Sequence, residues 1–84
     1  MSSVSNVEEI LAQIRSALVE IGIPNGSNAK LETAWSDLDV DSLDLVEIVR
    51  MLEDHYGLSV PDERLAEVET VGDAVNLVHE LVVS

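Results

Sequence analysis

The chain contains no cysteine, and only 4 of its 84 residues are lysine or arginine. Without cysteine, disulfide bonds, zinc–thiolate sites and a catalytic thiol are excluded. The 17 acidic residues outweigh the basic ones and give a formal net charge of -13 at pH 7. A chain this acidic offers no basic patch to nucleic acid phosphates and is repelled by anionic membranes. We therefore expect protein partners with basic surfaces.

Aromatic residues are nearly absent as well, since the chain has one tryptophan, one tyrosine and no phenylalanine. Because 46% of the residues are hydrophobic, we expect a folded chain with a core of leucine, valine, isoleucine and alanine. No apolar run approaches the roughly 20 residues that a membrane span requires. The first residues lack the basic and apolar regions of a signal peptide. We expect a cytoplasmic protein that forms one domain over residues 1–84.

Apolar residues recur at steps of three and four in three segments, which predicts three amphipathic helices. The first helix is predicted from Val7 to Ile21. Ser5 and Glu8 have the spacing of a capping box at its start. Gly22 is typical of the residue that ends a helix in a left-handed conformation.

The second predicted helix begins at Asp41 or Ser42 and ends at Gly57. The third begins at Thr70, whose hydroxyl has the spacing to form a capping box with Asp73. The predicted buried faces are Leu45, Ile48, Val49, Leu52 and Tyr56 in the second helix, and Val71, Ala74, Val75, Val78, Leu81 and Val82 in the third.

The remaining segments predict a short helix and a long loop. Pro61, followed by two acidic residues, is typical of the first position of a short helix. Residues 22–40 show no sustained periodicity, and we expect Leu31, Trp35 and Leu38 to pin this loop onto the core. A loop of this length points to a function or to a hidden short helix. The predicted fold is all-α, a small four-helix bundle with three main helices, one short helix and a long first loop.

Acidic residues concentrate in residues 37–54, which hold seven acids and a single base. Asp41, Asp44 and Glu47 follow one another at steps of three and therefore share one side of the second helix. Leu43 lies beside this ridge and outside the predicted buried stripe. A solvated charged face is the plain interpretation, but exposed aliphatic residues beside the acids favour a docking surface.

Ser42 lies at the predicted start of this helix, where serine is a preferred cap. Residues 37–44 read Asp-Leu-Asp-Val-Asp-Ser-Leu-Asp, and this run resembles the acyl carrier protein signature, Asp-Leu-Gly-x-Asp-Ser-Leu-Asp. The likeness extends over nearly the whole chain, through residues 46–49, 52–54, 60–63 and 70–75. Four matched segments in the right order make the resemblance specific.

The resemblance implies that Ser42 carries a 4′-phosphopantetheine arm, which a phosphopantetheinyl transferase takes from coenzyme A. The thiol of the arm would hold acyl groups as thioesters, so the missing sulfur would be supplied by the arm. A helix start suits the phosphodiester, because backbone N–H groups and the helix dipole favour an anion there. The resemblance further implies a non-catalytic, monomeric carrier that docks acyltransferases, ketosynthases and other enzymes through their basic patches.

The same resemblance implies a partner-recognition surface formed by Asp41, Leu43, Asp44, Val46, Glu47, Arg50, Glu53, Asp54, Asp62 and Glu63. The sequence departs from the family pattern at two positions. Asp39 occupies the place of the glycine in the signature, and aspartate tolerates a positive φ better than most residues. Arg50 stands where fatty-acid carriers usually have an apolar contact residue. It either pairs with an acidic neighbour or selects a particular partner.

A calcium site is one alternative, because Asp37, Asp39 and Asp41 have the spacing that opens an EF-hand loop. The rest of that pattern fails. Ser42 stands where the loop requires glycine, and Ile48 stands where it requires a bidentate glutamate. We therefore expect loose binding of divalent cations by charge and no dedicated metal site, which would leave an acidic interaction module as the rival function.

An enzyme is the other alternative. His55 is predicted nearly four turns along the helix from Ser42, so a serine–histidine relay is not supported. Among carriers, those for fatty acids, polyketides and amino acids share the signature. Arg50 and Asp39 favour a polyketide or other natural-product carrier over a housekeeping fatty-acid carrier, and an amino-acid-loading carrier remains an open alternative.

Overall fold

The computed structural model describes residues 7–83 and places four α-helices in them. The helices are α1 (Val7–Glu20), α2 (Ser42–Tyr56), α3 (Asp62–Leu65) and α4 (Val71–Val83). No strand occurs in this part of the chain, so the predicted all-α bundle of three main helices and one short helix is confirmed. Within the same residues, no helix is long and apolar enough to cross a membrane.

Branched aliphatic side chains of α1, α2 and α4 form the core. The largest fully buried side chains are Ile10, Ile14, Leu18, Ile48, Leu52, Val71, Val75 and Val78. All of them belong to the predicted apolar stripes, and each such burial stabilises the fold by about 1.5–3 kcal/mol. Leu77 is buried too, so α4 buries a wider face than its stripe predicts. No charged side chain among the described residues is buried.

The helix bounds lie within one residue of the predicted ones. α1 ends at Glu20, one residue before Ile21, α2 ends at Tyr56, one residue before Gly57, and α4 begins at Val71, one residue after Thr70. Gly22 and Gly57 have left-handed φ values of 87° and 67°, as expected of residues that follow a helix. Pro61 was predicted as the first residue of the short helix, and this is wrong. Pro61 precedes α3, and Asp62 is its first residue. The predicted capping box before α1 includes Ser5, which lies outside the described residues.

The long loop contains two short 3₁₀ turns, Gly26–Asn28 and Trp35–Leu38, which confirms the expectation of a hidden helical segment. Trp35 and Leu38 are buried in the core as predicted. Leu31 is 40% exposed, so the prediction that its side chain pins the loop is wrong.

Backbone hydrogen bonds fasten the loop to the start of α4. The Gly72 N–H donates to the Leu31 carbonyl at 2.7 Å, and the Trp35 N–H donates to the Glu69 carbonyl at 3.2 Å. A Cβ atom at Gly72 would lie 2.7 Å from the same Leu31 oxygen, so this close approach requires glycine. The loop is therefore fixed by its backbone just before it reaches Ser42.

A capping box begins α4, as predicted. The Asp73 N–H donates to the Thr70 hydroxyl at 3.1 Å, and the Asp73 carboxylate accepts from the Glu69 N–H at 3.0 Å and the Thr70 N–H at 3.1 Å. The hydrogen bond from Glu69, together with those of Thr70, lowers the pKa of Asp73 below its ordinary value of 3.8, although some desolvation opposes the shift.

We predict that Asp73→Asn lowers the free energy of unfolding at neutral pH by about 0.5–1.5 kcal/mol. Because the pKa of Asp73 is lowered by folding, the contribution of its charge is complete above pH 3.8. It is lost as the pH falls below that value through the pKa of the folded state. Urea denaturation of both proteins over a pH series should show the difference shrinking in acid. A difference that is equally large in strong acid would contradict this assignment.

Candidate functional site

Ser42 is the first residue of α2, and its side chain is exposed. The helix is capped one residue earlier, because the Asp41 carboxylate accepts a hydrogen bond from the Asp44 N–H at 2.9 Å. The interpretation of Ser42 as the cap is therefore wrong. No residue between 7 and 83 hydrogen-bonds to the Ser42 hydroxyl, which leaves this oxygen available to react.

The residues before Ser42 enter the helix through a left-handed turn at Asp39. Its φ is 59°, so the glycine position of the signature has a positive φ in this chain, and aspartate accommodates it as expected. The Val40 N–H donates to the Trp35 carbonyl at 3.0 Å, and Leu38 and Val40 on either side of Asp39 are both buried. The core thus fixes the chain direction immediately before Ser42.

One side of α2 combines acidic and apolar side chains at the surface. Leu43 is 78% exposed and Val46 is 36% exposed, which are large fractions for aliphatic residues in a small domain. A shallow groove of about 410 Å³ runs along this side, and its lining residues are Leu43, Val46, Glu47, Arg50, Met51 and Asp54. The structure therefore brings together five of the residues predicted to recognise partners. We call this feature the α2 groove.

Met51 is the lining residue that the sequence reasoning missed. It follows Glu47 by four residues and Leu43 by eight, a spacing that places all three on one face of a helix. This signal was present in the sequence, but Met51 is half-buried and also packs against the core. It belongs to both the core edge and the α2 groove.

Arg50 is exposed in the middle of the α2 groove. The ion pairs within residues 7–83 both involve Arg64, which approaches Glu67 at 3.5 Å and Glu80 at 3.0 Å. One of the two alternatives for Arg50 was an ion pair with a neighbouring acid in α2. The described residues show no such pair. The guanidinium of Arg50 is presented to solvent and to whatever docks on this face.

Glu53 is a predicted recognition residue that does not line the α2 groove and has a structural contact. Its half-buried carboxylate accepts a hydrogen bond from the Val60 N–H at 2.7 Å. This bond ties the end of α2 to the segment that leads into α3. Asp54, its neighbour in the sequence, is exposed and lines the α2 groove.

Of the remaining predicted recognition residues, Asp41 and Asp44 lie in the cap and first turn of α2 outside the α2 groove. Asp62 and Glu63 are exposed in the first turn of α3. They do not line the α2 groove. This helix has only four residues, and the ion pair between Arg64 and Glu80 joins it to α4. In the described part of the chain, no group of three or more histidine, aspartate or glutamate side chains is arranged to hold a metal ion.

A second depression, of about 450 Å³, opens beside Ser42, and we call it the Ser42 cleft. It is lined by Ala34, Trp35, Ser36, Val40, Asp41, Ser42, Leu45, Val68 and Glu69. The sequence reasoning treated Trp35 only as a loop anchor. Its indole nitrogen is buried and has no hydrogen-bond partner among residues 7–83.

Comparison with known proteins places this site in a family. A family model described as a phosphopantetheine attachment site matches residues 9–78. A meromycolate extension acyl carrier protein of Mycobacterium leprae is 43% identical over 75 residues, which cover 88% of this chain and 65% of that protein. An acyl carrier protein of Rhodococcus erythropolis is 41% identical over 75 residues, which cover 88% of this chain and 82% of that protein.

A solved structure shows the same fold. The solution structure of hexanoyl acyl carrier protein from the actinorhodin polyketide synthase of Streptomyces coelicolor matches with a TM-score of 0.74. The two sequences are 31% identical, and the match covers 83% of this chain and 86% of the other. The chain therefore belongs to the acyl carrier protein family, whose prosthetic group is covalently attached 4′-phosphopantetheine. It spans 65% of the length of the meromycolate extension relative.

We predict that Glu53→Ala lowers the free energy of unfolding by about 1–2 kcal/mol, because the Val60 N–H loses a charged acceptor. The matched control is Asp54→Ala, which removes the same charge from an exposed position and should change stability by at most about 0.5 kcal/mol. Urea denaturation of both variants measures the two values. Equal stability of the two variants would show that Glu53 is only a surface residue.

Proposed function

We propose that Ser42 is the residue to which 4′-phosphopantetheine is attached, and that residues 1–84 act as one acyl carrier domain. The observation that carries this proposal is the exposed Ser42 hydroxyl, which makes no hydrogen bond within residues 7–83. Because Asp41 provides the helix cap, modification of Ser42 removes no hydrogen bond from the fold. Ser42 also lies inside the segment matched by the family model.

The residues around Ser42 fit a phosphodiester-linked group. The first backbone N–H groups of α2 have no acceptors within the helix, and the helix dipole favours an anion at this end. The adjoining Ser42 cleft has apolar walls from Val40, Leu45 and Val68 for the neutral part of the arm. When attached, the arm supplies the thiol that this cysteine-free chain lacks and holds an acyl group there as a thioester.

The chain's own task in this proposal is docking, and it is not catalytic. The α2 groove offers the exposed Leu43 as an apolar contact, surrounded by carboxylates that attract basic enzyme surfaces. Charge complementarity of this kind gives fast, weak and salt-sensitive association, which suits a monomeric carrier that visits a phosphopantetheinyl transferase, acyltransferases and ketosynthases in turn. The cytoplasmic location expected from the sequence is part of the same proposal.

The proposal extends to a specialised acyl chain of the polyketide or other natural-product class. Arg50 supports this, because a cation in the α2 groove is repelled by an enzyme patch that is basic throughout and is attracted by a patch with an acid at that position. The structural neighbour belongs to a polyketide synthase, and the similar mycobacterial carriers serve meromycolate extension. Both are specialised pathways.

Incubation with coenzyme A and a phosphopantetheinyl transferase of broad specificity should add one phosphopantetheine group to the protein. Ser42→Ala should gain no mass, and it should stay within about 0.5 kcal/mol of the parent stability because Asp41 supplies the cap. Ser36→Ala is the matched control, since Ser36 is exposed and lines the same cleft, and it should be modified fully. Intact-mass measurement of each protein shows whether the phosphopantetheine group was added. Modification of Ser42→Ala would refute the assignment of Ser42 as the attachment residue.

Arg50→Met should leave the melting temperature within a few degrees, since an exposed cation without an ion pair contributes little to stability. The same change should weaken acyl transfer several-fold with the cognate enzyme and improve transfer with generic fatty-acid enzymes. Glu47→Arg should weaken docking to basic partners in general, and the binding that remains should depend less on salt. The measurement is the transfer rate against carrier concentration at two ionic strengths.

Lys30→Met is the matched control for the Arg50 variant. It removes the same charge from an exposed position in the first loop, outside the α2 groove, and should leave all transfer rates unchanged. If Arg50→Met also leaves the rates of both cognate and generic enzymes unchanged, Arg50 is only a solvated helix residue.

A further inference from the structure

The indole nitrogen of Trp35 is a buried hydrogen-bond donor with no acceptor in the described part of the chain. Trp35 is 5% exposed, and its Nε1 atom has no partner among residues 7–83. The Tyr56 hydroxyl is the other buried side-chain polar atom of that kind in this part of the chain. Leaving such a donor unpaired is unfavourable. In native proteins nearly all buried polar groups have a hydrogen-bond partner, so an unpaired buried donor requires an explanation.

The backbone holds Trp35 firmly in this position. Its N–H donates to the Glu69 carbonyl at 3.2 Å, and its own carbonyl accepts from the Val40 N–H at 3.0 Å. Both backbone groups are thereby paired, one toward the start of α4 and one toward the segment that leads into α2. These two bonds fix the backbone at Trp35.

Trp35 and Ser42 both line the Ser42 cleft, so the residue that carries the unpaired donor lies in the same site as the exposed hydroxyl. The cleft walls are mainly apolar, and the charged residues that line it, Asp41 and Glu69, are both acidic. An indole N–H donates and never accepts, so its complement is an acceptor. The two carboxylates disfavour a further anion at the indole, so a neutral acceptor such as a carbonyl oxygen suits this position.

We propose that the Trp35 indole N–H donates a hydrogen bond to a carbonyl oxygen of the group attached to Ser42. This inference rests on Ser42 being the attachment residue. Tethering at Ser42 keeps the attached group at a high effective concentration beside the cleft, so the hydrogen bond acts together with contact between the arm and the apolar cleft walls. The carbonyl belongs to an amide of the arm, to the thioester or to the acyl chain itself, and in the last case Trp35 favours oxygenated chains over hydrocarbon chains.

The test uses the fact that the chain has one tryptophan, because its indole N–H gives a single nitrogen–proton NMR signal. The signal is recorded for the unmodified protein, the phosphopantetheine form, and the forms loaded with octanoyl and 3-oxooctanoyl groups. Intact mass first verifies each loading step. We expect the indole proton to shift downfield on loading, as formation of a hydrogen bond requires.

The first form that shows the downfield shift identifies the carbonyl. A shift in the phosphopantetheine form assigns it to an arm amide, a shift that begins with octanoyl assigns it to the thioester, and a shift confined to 3-oxooctanoyl assigns it to the chain ketone. An indole proton that stays in place or moves upfield in every loaded form overturns the inference alone. A protein that takes up no arm at Ser42 overturns the attachment proposal and this inference with it.

Trp35→Phe and Tyr56→Phe form a matched pair for thermal denaturation. Each removes one unpartnered polar atom and keeps an aromatic ring, and Tyr56 lies about 21 Å along α2 from Ser42 at 1.5 Å per residue. We expect the gain in melting temperature on loading to be lost in Trp35→Phe and kept in Tyr56→Phe. Equal gains in both variants would overturn the inference, and the NMR test on the parent chain decides it should Trp35→Phe fail to fold.

Discussion

The hydrogen bond from the Asp44 N–H to the Asp41 carboxylate is the interaction on which the geometry of the site depends. At 2.9 Å it sets the first turn of α2 and satisfies a backbone donor that has no acceptor within the helix. Because Asp41 is the helix cap, Ser42 occupies the first position of α2, and its hydroxyl makes no hydrogen bond within residues 7–83. The left-handed conformation of Asp39, held between buried neighbours, directs the chain into that cap. The reactive position is thus prepared by residues that do not react.

The second constraint is the net charge of -13 on a chain of 84 residues. So small a domain buries a limited core, and every charged side chain in the described residues lies outside it. Acidic residues on α2 repel one another, but exposure to solvent and salt weakens that repulsion. The same exposure makes them available to basic partners. The Glu53 carboxylate also has a structural role, because it accepts a hydrogen bond from the segment that leads into α3.

The helices and the core could be predicted because their signals are local. Apolar residues at steps of three and four predict the buried faces of α1, α2 and α4, and the Thr70–Asp73 capping box needs only four residues. The contact of Glu53 with Val60 could not be predicted, because it depends on how the chain turns over the six residues between them. The lack of an ion pair at Arg50 within residues 7–83 could not be predicted either. The free energy of an exposed ion pair is only a few tenths of a kcal/mol, so the sequence does not decide whether it forms.

The site was predicted in outline for a different reason. Ser42 and the residues of the α2 groove come from a family signature whose spacing follows the helix, so the structure brings Leu43, Val46 and Glu47 together as expected. The Ser42 cleft could not be predicted, because its walls come from the first loop, α2 and the segment before α4. Trp35 and Val68 are 33 positions apart in the chain and meet only through the fold. Predictions from local patterns miss sites formed by residues that are far apart in the sequence.

The central claim is that Ser42 carries the acyl-bearing arm in the living cell. Tandem mass spectrometry of the protein isolated from its own cells tests this most directly, because fragmentation locates the modified residue and releases the arm with its cargo. The account predicts a phosphopantetheine group on the peptide that contains Ser42, with an acyl chain on part of the molecules. Protein that is unmodified at Ser42 throughout, or that carries the group on another serine, would contradict it.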